Sequence, residues 1–173
     1  MTGTLVVSIV ALGLSVTTLT WQIAQFVLGA SRPVVELRYG AHNGFGALTA
    51  PVRVDGGAID FEELTAQGFN QALLAVQVQN RGRLAVSVMN WSIAFDNGAF
   101  FNYPDWRLND RNPIPFRLEP GAEATWLCPA DAVHSAAQVF TAATRARASV
   151  SLGTGRIANS KNYIVFDPTS QLG

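Results

Sequence analysis

Two rhythms divide the chain. Across residues 4–28, leucine, valine, isoleucine and phenylalanine recur with no charged side chain, and the first charged residue is Arg32. From Pro33 onward the apolar positions instead fall at every second residue, the period of a half-buried strand. Built as a helix, residues 4–28 reach about 37 Å, enough to cross a hydrocarbon core of ~30 Å with some tilt. The pattern therefore predicts a transmembrane helix within residues 1–30 and a separate β domain over residues 31–173. A cleaved secretory signal is the rival reading. It lacks a basic n-region, and its only small-residue exit, Leu28-Gly29-Ala30, has a bulky leucine where cleavage favours a small side chain.

Polar residues inside the apolar run also have a spacing. Thr4, Ser8, Ala11, Ser15, Thr18, Gln22, Gln25 and Gly29 follow steps of four and three, which keeps them on one helix face. In lipid, small residues let two helices approach and glutamine amides can hydrogen-bond across the gap, each contact contributing ~0.6–2 kcal/mol. Ser8, Ala11, Ser15, Thr18, Gln22 and Gln25 are thus candidates for packing against another membrane protein or a second copy. The competing account has Ser and Thr bonding their own helix carbonyls, with Trp21, Gln22 and Gln25 marking the membrane–water interface.

In the second region, "PVVELRY" alternates Val35, Leu37 and Tyr39 against Val34, Glu36 and Arg38. Residues 40–71 are glycine-rich and weakly patterned, and read as a long excursion loop with a short "VRV" and a helical turn at "FEELTAQGF". "LLAVQVQNRGRLAVSVMNWSIAF" reads as a hairpin: Leu74, Val76 and Val78 point inward, "NRGR" turns with Gly82 tolerating positive φ, and Leu84, Val86 and Val88 resume. The phase slips between Val88 and Trp91, predicting a bulge at Met89-Asn90. "DNG" at 96–98 ends that strand, "IPFRLEPGAEATWLCP" reads as a second hairpin, and "ADAVHSAAQVFTAA" as a short helix. "RARASVSLGTGRIANSKNYIVF" closes with a third hairpin, Ala146, Ala148, Val150 and Leu152 inward. About seven short strands predict an all-β, immunoglobulin-like sandwich with one short helix, behind the transmembrane span. An up-and-down barrel is the alternative.

Composition adds limits. Lys plus Arg equals Asp plus Glu at 12 each in 173 residues, so no net charge points to nucleic acid. The positive mean hydropathy and 14% charged content follow from the span. A single cysteine, Cys128, excludes an internal disulfide. Arg32 and Arg38 directly after the span favour a cytoplasmic β domain by the positive-inside rule, making this a single-pass protein of the cell membrane.

Candidate chemistry is sparse. His42 in "GAHNGFG" and His134 are the only histidines, and Cys128 with His134 is the only thiol–base pair; a buried strand cysteine acting as a small hydrophobe is the simpler account. No His, Cys or carboxylate set has metal-ligand spacing, and no cofactor is implied. "GTGR" and "GFG" do not open a strand-to-helix phosphate loop, and "NWS" falls inside a strand. Two surfaces remain. Arg145, Arg147, Arg156 and Lys161 lie in a stretch without acids and could rest on anionic headgroups, or simply protect an edge strand. Phe100, Phe101, Tyr103 and Trp106 could form a recognition loop or plug one end of the sandwich.

With its single span, the "NRGR" and "LEPGAEATW" segments and the closing "LGTGR" turn, the sequence resembles a group of actinobacterial single-pass membrane proteins with an immunoglobulin-like β domain. The shared residues are turn and core positions, so the resemblance implies the fold and no chemistry. The expected function is a membrane-anchored, non-enzymatic binding or assembly module, such as an adapter subunit or a self-associating protein. An enzyme using the 40–71 loop and His42, and an extracytoplasmic adhesion or envelope domain, are the alternatives.

Overall fold

The computed structural model describes residues 2–43, 45–53, 66–103, 109, 112–140 and 142–166. The uncharged run forms one helix, α1 (Thr2–Gly29). Its stretch Val6–Gln25, with a mean hydropathy of 1.7, is long and apolar enough to cross a membrane. The remainder is mostly β: β1 (Pro33–His42), β2 (Ala47–Pro51), β3 (Gln71–Asn80), β4 (Val86–Phe95), β5 (Phe100–Phe101), β6 (Phe116–Leu118), β7 (Glu123–Pro129), a helix α2 (Ala130–Ala137), β8 (Thr144–Leu152), β9 (Ile157–Asn159) and β10 (Ile164–Phe166).

These strands form two antiparallel sheets. One has the order β2-β1-β3-β7; the other has β10-β8-β4-β5, with β6 also on β4 and β9 also on β8. Alternation decides which side chains meet. Leu37, Val76, Val78 and Trp126 from the first sheet and Val88, Trp91, Ile93, Ala148 and Val150 from the second belong to a single buried cluster, to which α2 adds Val133 and Ala137. The bulge expected at Met89-Asn90 is present as a register shift between Val88 and Asn90. The closing segment turns back through Gly155 at φ 79° into β9, and β10 then pairs with the start of β8.

Two expected hairpins are not hairpins. β3 pairs with β1 and β7, whereas β4 pairs with β5, β6 and β8, so "NRGR" carries the chain from one sheet to the other. Gly82 does not adopt positive φ. It is needed because a Cβ there would run into the Ala30 carbonyl and the Arg32 amide. The "LEPGAE" segment likewise crosses from β6 in the second sheet to β7 in the first, with Gly121 at φ 76°. Period-two alternation reports which face of a strand is buried and says nothing about which strand lies beside it.

Within the 40–71 stretch, residues 40–42 and 47–51 are strand rather than loop. β1 continues to His42, and β2 pairs with it from Arg38↔Pro51 to His42↔Ala47. Gly and Ala hide this strand pair from a propensity reading. Gly40 is required there, since a side chain would meet the Leu48 carbonyl. Val52 of the "VRV" is buried just past β2 and its N–H donates to the Leu37 carbonyl at 3.1 Å. Val54 and most of "FEELTAQGF" lie outside the described residues.

Candidate functional site

α1 shows how the polar stripe is used. Ser8 Oγ donates to the Thr4 carbonyl at 2.9 Å, Ser15 Oγ to Ala11 at 2.8 Å and Thr18 Oγ1 to Leu14 at 2.8 Å; Thr17 and Thr20, off the stripe, do the same to Gly13 and Val16. Each hydroxyl proton is therefore satisfied within its own helix. Gln22 and Gln25 are exposed and have no side-chain hydrogen bond among the described residues. At ~100° per residue, the stripe from Ser8 to Gln25 occupies an arc of roughly 100°. It keeps small groups on that face and two free amides near one end.

Where α1 meets the β region, the geometry is built by Asn80. Its side chain is fully buried. Its Oδ1 accepts from the Gly82 amide at 3.0 Å and from the Arg32 amide at 3.3 Å, and its Nδ2 donates to the Leu84 carbonyl at 2.8 Å and the Leu118 carbonyl at 3.2 Å. The Arg81 N–H donates to the Arg32 carbonyl at 2.9 Å, and the Gly121 N–H to the Asn80 carbonyl at 2.8 Å. One amide thus ties the end of the α1–β1 junction to both sheet-crossing connections. Asn162 plays a similar part elsewhere, holding Leu37 by both its N–H (2.9 Å) and C=O (2.6 Å) and reaching the Val52 carbonyl at 3.0 Å.

The expected basic face does not hold together. Arg147 forms an ion pair with Asp96, and the Arg145 guanidinium lies 5.0 Å above the Tyr163 ring. β8 sits between β4 on one side and β9 and β10 on the other, so it is no edge strand. Arg156 and Lys161 are exposed and lie apart from that pair in separate clefts. Arg156 lines one with Ser31, Arg32 and Pro33; Lys161 lines another with Val34, Glu36 and Arg53.

The aromatic set also divides. Phe101 and Tyr103 stack with centroids 6.5 Å apart and pack on the core. Phe100 is 71% exposed, and Trp106 lies outside the described residues. As for chemistry, burial pushes the Cys128 thiol up to about 12, so it is a neutral core side chain at ordinary pH. The His134 ring faces Phe166 at 6.0 Å, and His42 ends β1. Among the described residues no group of three or more His, Cys, Asp and Glu could hold a metal ion.

No family model, curated protein or solved structure matches the chain.

The residues that a reading of alternation misses are Asn80 and Asn162. A signal was available for the first: Asn80 continues the inward phase of Leu74, Val76 and Val78, and an inward-pointing amide has to be hydrogen-bonded.

Proposed function

We propose that the chain is a single-pass membrane protein in which α1 tethers an immunoglobulin-like sandwich that works as a non-enzymatic binding or assembly module. The observation that carries this is α1 itself. It is apolar over Val6–Gln25, all its described side chains but Ala24 are exposed, and the amides of Gln22 and Gln25 have no hydrogen-bond partner among the described residues. A helix this apolar needs lipid or another helix to cover it. The partner on the Gln22–Gln25 face is another membrane protein or a second copy of this chain. Arg32 and Arg38 after the span favour a cytoplasmic position for the sandwich.

Strand order supports the immunoglobulin-like reading. With β1, β3 and β7 as strands A, B and E, and β4, β8 and β10 as C, F and G, the two sheets run A-B-E and G-F-C, with β5 in the place of C′. The connection from β3 to β4 is then the B-to-C crossover between sheets. Trp91, buried on β4, occupies the strand that carries the core tryptophan in such folds. The sheet edge beyond β7, where strand D would pair, is met by side chains: Asn109 both accepts from Leu127 N–H at 2.7 Å and donates to Leu127 C=O at 3.0 Å, and Asn112 donates to Thr125 at 2.9 Å.

The test is photocrosslinking from position 22 or 25 in native membranes, followed by gentle detergent extraction and mass spectrometry. A crosslinked neighbour is expected, and Gln22→Leu with Gln25→Leu should weaken the complex about tenfold while α1 stays inserted, at ~0.6–2 kcal/mol for the lost amide contacts. Monomer alone, or a complex indifferent to both leucines, would refute the packing role.

A further inference from the structure

Four arginines from three separate segments converge where α1 joins the β region. Arg32 is three residues past α1, and its carbonyl accepts from the Arg81 amide at 2.9 Å. Gly82 packs on the backbone of residues 30–32, which places Arg83 beside the same junction. Arg156 shares with Arg32 a cleft of about 390 Å³, walled by Ser31 and Pro33 on one side and Thr154 and Ile157 on the other. All four side chains are exposed, and none has a carboxylate partner among the described residues. The nearby Arg117 is already paired with Glu119 at 2.8 Å. Two apolar side chains stand among them in water, Leu84 at 60% and Ile157 at 67% exposed.

We infer that this pole docks on anionic lipid headgroups, with Arg32, Arg81, Arg83 and Arg156 meeting phosphates and Leu84 and Ile157 entering the interface. The inference rests on α1 spanning the bilayer, because the span is what holds the pole at headgroup depth. Charge complementarity selects the occupant: a cluster of guanidinium groups with no carboxylate partner among the described residues, only Arg81 being bonded, to the neutral Gln79 amide at 2.8 Å, brackets exposed aliphatic side chains a few residues from a membrane exit and suits a surface that is anionic above and hydrocarbon below. On the face first suggested by the sequence, Arg147 is paired with Asp96 and the Arg145 guanidinium lies over the Tyr163 ring, so that face takes no part.

The experiment uses the full chain in nanodiscs of phosphatidylcholine with or without phosphatidylglycerol. A Thr154→Cys variant carries an environment-sensitive fluorophore, since Thr154 is exposed and Cys128 is buried and unreactive. Headgroup-attached nitroxide should quench the probe when phosphatidylglycerol is present, and high salt should release it. Each arginine changed to glutamine should lower the ratio of docked to free pole about fivefold. Arg81→Gln, Arg83→Gln and Arg156→Gln together should lower it about a hundredfold. Arg145→Gln with Arg147→Gln, the same kind of charge removal on β8, should leave it unchanged.

Quenching that ignores phosphatidylglycerol, survives the triple substitution, or responds instead to the β8 pair overturns the docking while leaving the tether intact, provided alkaline extraction keeps the chain in the membrane. Loss of the chain from the membrane on alkaline extraction overturns both.

Discussion

Replacing Asn80 with alanine isolates the contribution of one buried amide. The substitution removes four side-chain hydrogen bonds at once. Two of the abandoned partners, the Gly82 amide and the Leu118 carbonyl, are buried and cannot turn to water, each costing ~1–3 kcal/mol. The Arg32 amide and the Leu84 carbonyl are only partly buried, so rehydration limits their loss to a few tenths of a kcal/mol each. The expected destabilisation is therefore about 3–5 kcal/mol. For a domain of this size it lowers Tm by roughly 10 °C. Purified full-length protein in detergent, heated while tryptophan emission is followed, reads the transition through the buried Trp91 and Trp126. Asn80→Leu is the companion variant: it refills most of the volume and restores none of the bonds, so it should be at least as destabilising. A neutral Asn80→Leu would show that packing volume rather than hydrogen bonding holds the two crossovers, and a drop below about 2 °C for Asn80→Ala would show that neither does.

Two further outcomes follow from close contacts and burial. Gly82→Ala drives a methyl group into the backbone of residues 30–32, which cannot swing aside, and should cost about 1–3 kcal/mol, whereas Gly46→Ala, with open space around it, should be neutral in the same thermal assay. Cys128 makes stability fall with alkaline pH: the thiol of the unfolded chain ionises near 9, the folded one is held protonated up to about 12, and between those values the unfolded state binds fewer protons. Raising pH through that window should lower stability by ~1.4 kcal/mol per unit relative to Cys128→Ala, and parallel pH profiles for the two proteins would count against the burial argument.

How much of this was legible follows from what each pattern encodes. α1 was legible because lipid demands uninterrupted apolar length, a property of sequence alone. The interior faces of β1, β4 and β8 were legible because burial on one face imposes a period of two, and the burial of Val35, Leu37, Ala146, Ala148, Val150 and Leu152 follows it. Partner choice was not. A tight turn between two alternating runs describes a hairpin and a crossover equally well, and only the inward amide at Asn80 distinguishes them, by requiring hydrogen-bond partners that a two-strand ladder cannot provide. The β1–β2 pair was hidden for a different reason: the close approach of Leu48 to Gly40 selects the residues with the weakest strand propensity.

Charged surfaces suffer most from reading along the chain. No acid interrupts Arg145, Arg147, Arg156 and Lys161 in sequence, yet Asp96, just past the end of β4, pairs with Arg147, and that pairing depends on the β4–β8 register. The pole at Arg32, Arg81, Arg83 and Arg156 has the opposite history. Its members come from three separate segments and become neighbours only because the β3–β4 connection crosses between sheets beneath the end of α1. Had "NRGR" been the tip of a simple hairpin, nothing in the ladder would require Arg81 and Arg83 to lie against Arg32. The same buried amide that sets the crossover therefore sets where the positive charge is displayed. Damage to Asn80 should disturb the pole even though all four arginines remain.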